Sequence, residues 1–172
     1  RYAKAVVSGK TIAGPHVRAA CARHIKDLED GAERGLIWDQ EAVAHALAFF
    51  AEVLCLNGGE YEGRPFEPLA WQRFVIGSIF GWKTEDGHRR FRVAYVETAK
   101  GSGKSPLAAG IGMYGMVADN EARAEIYAAA TKKDQAMVLF RDAVAMWQLS
   151  PELRRRLKTS GTGENVWNLA YL

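Results

Sequence analysis

Residues Thr98-Ala99-Lys100-Gly101-Ser102-Gly103-Lys104-Ser105 decide how this chain is read. The last three match the end of the phosphate-loop pattern G-x-x-x-x-G-K-[ST], and Thr98 stands where its first glycine belongs. Each residue has a physical task. Gly101 and Gly103 admit positive φ and let backbone approach an anion closely. The N–H groups from Gly101 to Ser105 then form a nest at a helix start. Lys104 reaches for the β- and γ-phosphates of a nucleotide, and the Ser105 hydroxyl is suited to Mg²⁺. Pro106 fits the first helical turn but has no N–H to donate, so the α-phosphate is expected to have one amide fewer than usual. The stretch Ser8-Gly9-Lys10-Thr11 imitates the ending. It lacks the upstream glycine and runs into Gly14-Pro15, so it reads as a surface turn.

The flanks support the placement. Arg92 to Glu97 reads as a short buried strand before the loop, and a helix is expected after it through about Val117. Glu125 to Ala130 is a second strand expectation. Thr131 with Asp134 three residues on resembles a capping box. It would open a helix with Met137, Phe140, Val144 and Trp147 on one face. Ser150-Pro151 starts a further short helix. This order predicts an α/β fold, a parallel sheet flanked by helices and incomplete in this chain.

Upstream, His16 to Leu28 reads as helical. Asp39 is an N-cap for a helix with Val43, Leu47, Phe50 and Leu54 at helical spacing, stopping at Asn57-Gly58-Gly59. Leu69 to Phe80 is another helix, and Lys83 to Gly87 a turn. The linker-like segment Gly58 to Pro65 puts a boundary near residue 60. Residues 1–60 then form a helical lead segment and 61–172 the loop-bearing core.

Composition narrows little. Hydrophobic residues at 48% and charged residues at 25% are ordinary for a globular chain. A net charge of +3 over 172 residues does not identify a nucleic-acid partner. Cys21 and Cys55 lack metal-ligand spacing and read as reduced thiols. The apolar stretch Ala42 to Leu56 contains His45 and Glu52 and is too short to span a bilayer, so no membrane is expected. His16, His24, His45 and His88 show no ligand spacing. The basic run Leu153 to Lys158 suits either DNA phosphates or solvent. The apolar ending Val166 to Leu172 suggests a piece of a longer protein.

Four ordered stretches resemble the large terminase subunit of tailed bacteriophages. They are Val6 to Lys10 with His16 to Leu28; Pro68 to Gln72 with Phe80-Gly81-Trp82; Glu97 to Ala109; and Ile126 to Thr131 with Gln135-Ala136. The resemblance implies an ATPase that uses ATP and Mg²⁺ to drive double-stranded DNA into a procapsid. It implies a portal protein, a small terminase subunit and further copies of itself as partners, and the host cytoplasm as location. Lys104 and Lys100 would be catalytic, Lys100 holding the family's basic position without the fork of an arginine. Gly101, Ser102, Gly103, Lys104, Ser105 and Gln72 would bind nucleotide, Gln72 at the adenine edge and Ser105 also at the metal. Trp71 beside it reads as core packing. Thr131 and Gln135 start the helix after the second strand, where the family has a segment near nucleotide and DNA; plain capping is the alternative for them. The family's apolar strand ending in Asp-Glu has no counterpart after the loop; Leu36 to Glu41 mimics it but reads as a helix start. Endonuclease activity would belong to a region outside this chain. A helicase-like ATPase and a non-catalytic nucleotide-binding module are the rival readings.

Overall fold

The computed structural model describes residues 1–162 and 165–172. The chain forms two compact units. The first comprises Arg1–Leu47 and Pro68–Tyr95, the second Ala48–Glu67 and Val96–Leu172.

In the first unit, α1 (Tyr2–Val7), α2 (Pro15–Asp30) and α4 (Ala70–Gly81) accompany the opening turns of α3 (Gln40–Val53). Pro15 starts α2 at the position where a missing N–H costs nothing. Asp39 caps α3, its Oδ1 accepting from the Ala42 N–H at 2.8 Å. Strand β1 (Leu36–Trp38) pairs antiparallel with β2 (Trp82–Thr84), Leu36 opposite Thr84 and Trp38 opposite Trp82. The residues 36–38 are therefore a strand, and the helix starts only after the Asp39 cap. Ala3, Val6 and Cys21 are buried together, with Tyr2, Ile25 and Phe74 packed over them.

The aromatic heart of this unit contains one titratable ring. His24 meets Trp38, Phe74 and Trp82 edge-on, with centroids 4.9, 5.5 and 5.7 Å away. Its Nδ1 accepts from the Trp82 Nε1–H at 3.0 Å. Burial pushes its pKa down, and nearby Asp27 pulls the other way. Because the folded value lies below the unfolded one, the unfolded chain takes the proton first. His24 thus contributes full stability above about pH 6.5 and loses it as pH falls through the depressed value. Urea midpoints measured between pH 7.5 and 5 are expected to fall less steeply for His24→Asn than for the wild type. Equal slopes would contradict this.

Asp27 anchors the same unit. It is 4% exposed. Arg34 reaches its Oδ1 at 2.6 Å and Arg90 its Oδ2 at 2.5 Å. Burial raises the carboxyl pKa, but the hydrogen bonds from Arg90 and Arg34 outweigh it and hold the group below the ordinary carboxylate value. Arg90 lies over the rings of Trp82 and Phe91, which fixes its guanidinium further.

The second unit holds the rest of α3, α5 (Lys104–Val117), α6 (Lys133–Leu149) and α7 (Pro151–Arg156). It also holds the antiparallel ribbon of β3 (Leu157–Ser160) and β4 (Asn168–Tyr171). Helices α5 and α6 pack along each other. Ser150 caps α7, its Oγ accepting from the Leu153 N–H, with Pro151 following as expected. In that helix Arg155 and Arg156 both pair with Glu152, so part of the basic run is neutralised locally.

Helix α5 is slim, and its neighbours use the room. A side chain at Gly110 would meet the Phe50 ring at 2.5 Å and Leu54 at 3.0 Å. Side chains at Gly112 and Gly115 would meet Ile126 at 3.2 and 3.4 Å. Phe50 in turn stands edge-on to Phe66, centroids 5.2 Å apart.

The fold is mixed α/β, as expected, but the expected parallel sheet is not formed. Among the described residues the sheets are two antiparallel ribbons of two strands each. Residues 93–99 and 124–130 run without regular structure and belong to neither ribbon. The segment before the loop is also not buried: Val93 is 85% and Tyr95 86% exposed. The physical reason is the ladder. A strand needs a neighbour within hydrogen-bonding distance, and no described segment lies alongside these two as one.

Candidate functional site

The loop is built as its glycines require. Gly101 and Gly103 have φ of +81° and +80°, in the left-handed region that favours glycine. A Cβ on Gly101 would meet nothing within 4 Å, so its surroundings are open. Gly103 is the N-cap of α5, and the helix proper starts with Lys104. The Leu107 N–H donates to the Gly103 carbonyl at 3.2 Å. The N–H groups of the residues before it therefore open a helix start, where anions are favoured. Pro106 is the third residue of α5, inside the turn where its missing N–H removes no helical bond.

Side chains brace the loop from within. The Ser102 Oγ donates to the Ala99 carbonyl at 2.8 Å. The hydroxyls of Thr98 and Ser102 are hydrogen-bonded to each other, tying the start of the loop to its middle. Thr98 is thus more than a missing glycine. Its hydroxyl supplies a tie that glycine cannot make.

Beside the loop lies a cleft of about 290 Å³. Lys104 and Ser105 line it from α5, and Gln135 from the first turn of α6. The rest of the lining is apolar, including Val96, Leu107, Ile111 and Leu139. Lys104 is exposed and Ser105 half-buried. The arrangement can hold an anion at the helix start and a point charge against it, with an apolar wall behind. Lys100 is exposed on the loop and does not line the cleft. No carboxylate lines it among the described residues; Ser105 is the hydroxyl there suited to a cation held together with phosphates.

Other expected residues have local partners. Gln72 belongs to the first unit, is 3% exposed, and its Oε1 accepts from the Leu69 N–H at 2.8 Å. That bond caps the start of α4. Thr131 does not cap α6. The helix starts at Lys133 with Lys132 as N-cap, and the Thr131 hydroxyl instead donates to Gln135 Oε1 at 3.1 Å. The glycine in Ser8 to Thr11 sits at φ +79° in an exposed turn after α1, as the surface reading has it. Cys21 is buried and Cys55 half-buried, and both thiols are free. No helix among the described residues is long and apolar enough to cross a membrane.

A left-handed glycine loop opening directly into a Lys-Ser helix start fits the end of the phosphate-loop pattern. The sequence model for the terminase large subunit, ATPase domain, matches residues 70–164. That is more than half of the chain, and the chain belongs to this family. Its fold is similar to that in the crystal structure of the HK97 bacteriophage large terminase, with a TM-score of 0.58 and 22% sequence identity. The similarity covers 72% of this chain and 24% of that one, so the chain corresponds to about a quarter of that protein's length. None of the curated proteins matches it.

Proposed function

We propose that this chain is the ATP-gripping part of a viral DNA-packaging motor, which hydrolyses ATP with Mg²⁺ to drive double-stranded DNA into a procapsid. One observation carries the reading. The two left-handed glycines deliver Lys104 and Ser105 to the first turn of α5, at the mouth of the cleft. Family membership supports the same conclusion.

In this reading Gly101, Ser102 and Gly103 present backbone N–H groups to the phosphates. Lys104 neutralises charge that builds on the terminal phosphate, where preorganised charge acts most strongly. Lys100, at the family's basic position, adds a second positive charge. Ser105 would hold Mg²⁺, which would supply positive charge against the phosphates. Gln72 is assigned the adenine edge by resemblance. The work falls to residues 61–172, with 1–60 as a helical lead. Segments 93–99 and 124–130 become strands of a parallel sheet when a further apolar strand lies beside them. The longer protein works at a portal, with a small terminase subunit and copies of itself, in the host cytoplasm. Any endonuclease activity belongs to another region of it.

The test is ATP turnover by the intact protein, with and without double-stranded DNA. Turnover that requires Mg²⁺ and rises with DNA is the expected result. An intact protein that neither binds nor hydrolyses ATP would sink the motor reading.

A further inference from the structure

Gln135 has the surroundings of a ligand-reading group. It lines the cleft shared with Lys104 and Ser105, and the remaining lining is apolar. It is the third residue of α6, as Lys104 and Ser105 are the first two of α5. The starts of two packed helices therefore meet at one cleft.

A glutamine at the third helical position has an ordinary structural task. It reaches back to the N-cap backbone N–H and completes a capping box. Gln135 is engaged differently. Its Oε1 accepts from the Thr131 hydroxyl at 3.1 Å. Its backbone N–H donates to the Lys132 carbonyl at 3.1 Å, which needs no side chain. A carboxamide has one acceptor oxygen and one nitrogen with two donors. The Thr131 hydroxyl meets the oxygen. The nitrogen is left as a donor beside Lys104 and Ser105, in a cleft whose other walls offer no hydrogen-bonding side chain.

We infer that Gln135 reads the terminal phosphate of a bound nucleoside triphosphate, donating from a carboxamide whose orientation Thr131 fixes. The inference rests on the phosphate-loop reading and adds a specificity to it. A neutral donor in that position favours the triphosphate over the diphosphate, because only the triphosphate places an oxygen there. Lys104, a point charge on the loop itself, holds both.

The experiment is equilibrium titration of the intact protein with a non-hydrolysable ATP analogue and with ADP, both with Mg²⁺. Wild type, Gln135→Ala, Thr131→Val, the double variant and Lys104→Ala are compared. Gln135 and Thr131 are exposed, so these changes leave the fold in place. Gln135→Ala is expected to weaken the ATP analogue about tenfold while ADP stays within about twofold, the loss of one hydrogen bond to a charged group. Thr131→Val should give a smaller loss in the same direction. The double variant should be no weaker than Gln135→Ala alone, since the two act through one donor. If Lys104→Ala weakens both nucleotides and Gln135→Ala weakens both equally or neither, the inference is overturned and the phosphate-loop reading stands. If Lys104→Ala changes neither nucleotide, the phosphate-loop reading itself fails.

Discussion

Alanine at Lys104 is expected to lower ATP turnover by the intact protein about 10²- to 10³-fold, the usual cost of removing one preorganised group that meets transition-state charge. The reasoning follows from position. Lys104 is the first residue of α5, directly after the left-handed Gly103, and it lines the cleft. Its side chain is exposed and appears in no ion pair among the described residues, so its removal takes nothing from the core. Stability should therefore change by no more than about 0.5 kcal/mol. Arginine is not expected to rescue, because its planar fork does not reproduce a compact ammonium charge within a tight backbone loop. Turnover measured beside a thermal melt separates the two effects. A Lys104→Ala protein with wild-type turnover would refute the assignment, and one that fails to fold would refute the account of its exposure.

The second large effect concerns stability. Asp27→Asn should destabilise the fold by about 3 kcal/mol, the lower end for breaking a buried pair by removing one partner. The lower end applies because Arg34 is 44% exposed and can return to water. Arg90 cannot do so as easily. It is 18% exposed and lies between aromatic rings, so an uncompensated cation would remain half-buried. The sign with pH is fixed by the depressed carboxyl. The contribution is complete above the unfolded value of about 3.9 and disappears as pH falls through the folded one. Urea denaturation at pH 7 should therefore separate wild type from Asp27→Asn, and the two should converge near pH 2. A difference at pH 7 below about 0.5 kcal/mol would show that the pair is only a surface contact.

Local chemistry was readable in the sequence, and non-local pairing was not. The Asp39 cap, the Ser150-Pro151 start and the Lys104 start of α5 each depend on residues within four positions, and each stands where the pattern puts it. The segments 92–97 and 125–130 carry apolar residues suited to strands, yet strand formation is decided by a neighbour elsewhere in the chain. The β1–β2 ribbon was invisible for the converse reason. Three residues are too few for a period, and Leu36 pairs with Thr84 far along the chain. At the site, the glycines and Lys104 were legible from spacing. The Thr98–Ser102 tie was not, because a threonine in place of glycine reads only as a departure. The partnership of Thr131 with Gln135 was also hidden. In sequence Thr131 fits a cap with Asp134, and only geometry shows that its hydroxyl meets Gln135.

The slimness of α5 bears on what keeps the loop in place. Gly110, Gly112 and Gly115 each cost about 1 kcal/mol of helix propensity relative to alanine. A peptide of residues 104–117 alone would be mostly coil in water, since it is short as well as glycine-rich. The helix persists because Phe50, Leu54 and Ile126 occupy the grooves those glycines open. The loop that precedes it is therefore borrowed architecture. Its firmness belongs to an aromatic ring and two aliphatic side chains from other parts of the chain, and trimming any of them would loosen the anion nest without touching one residue in it.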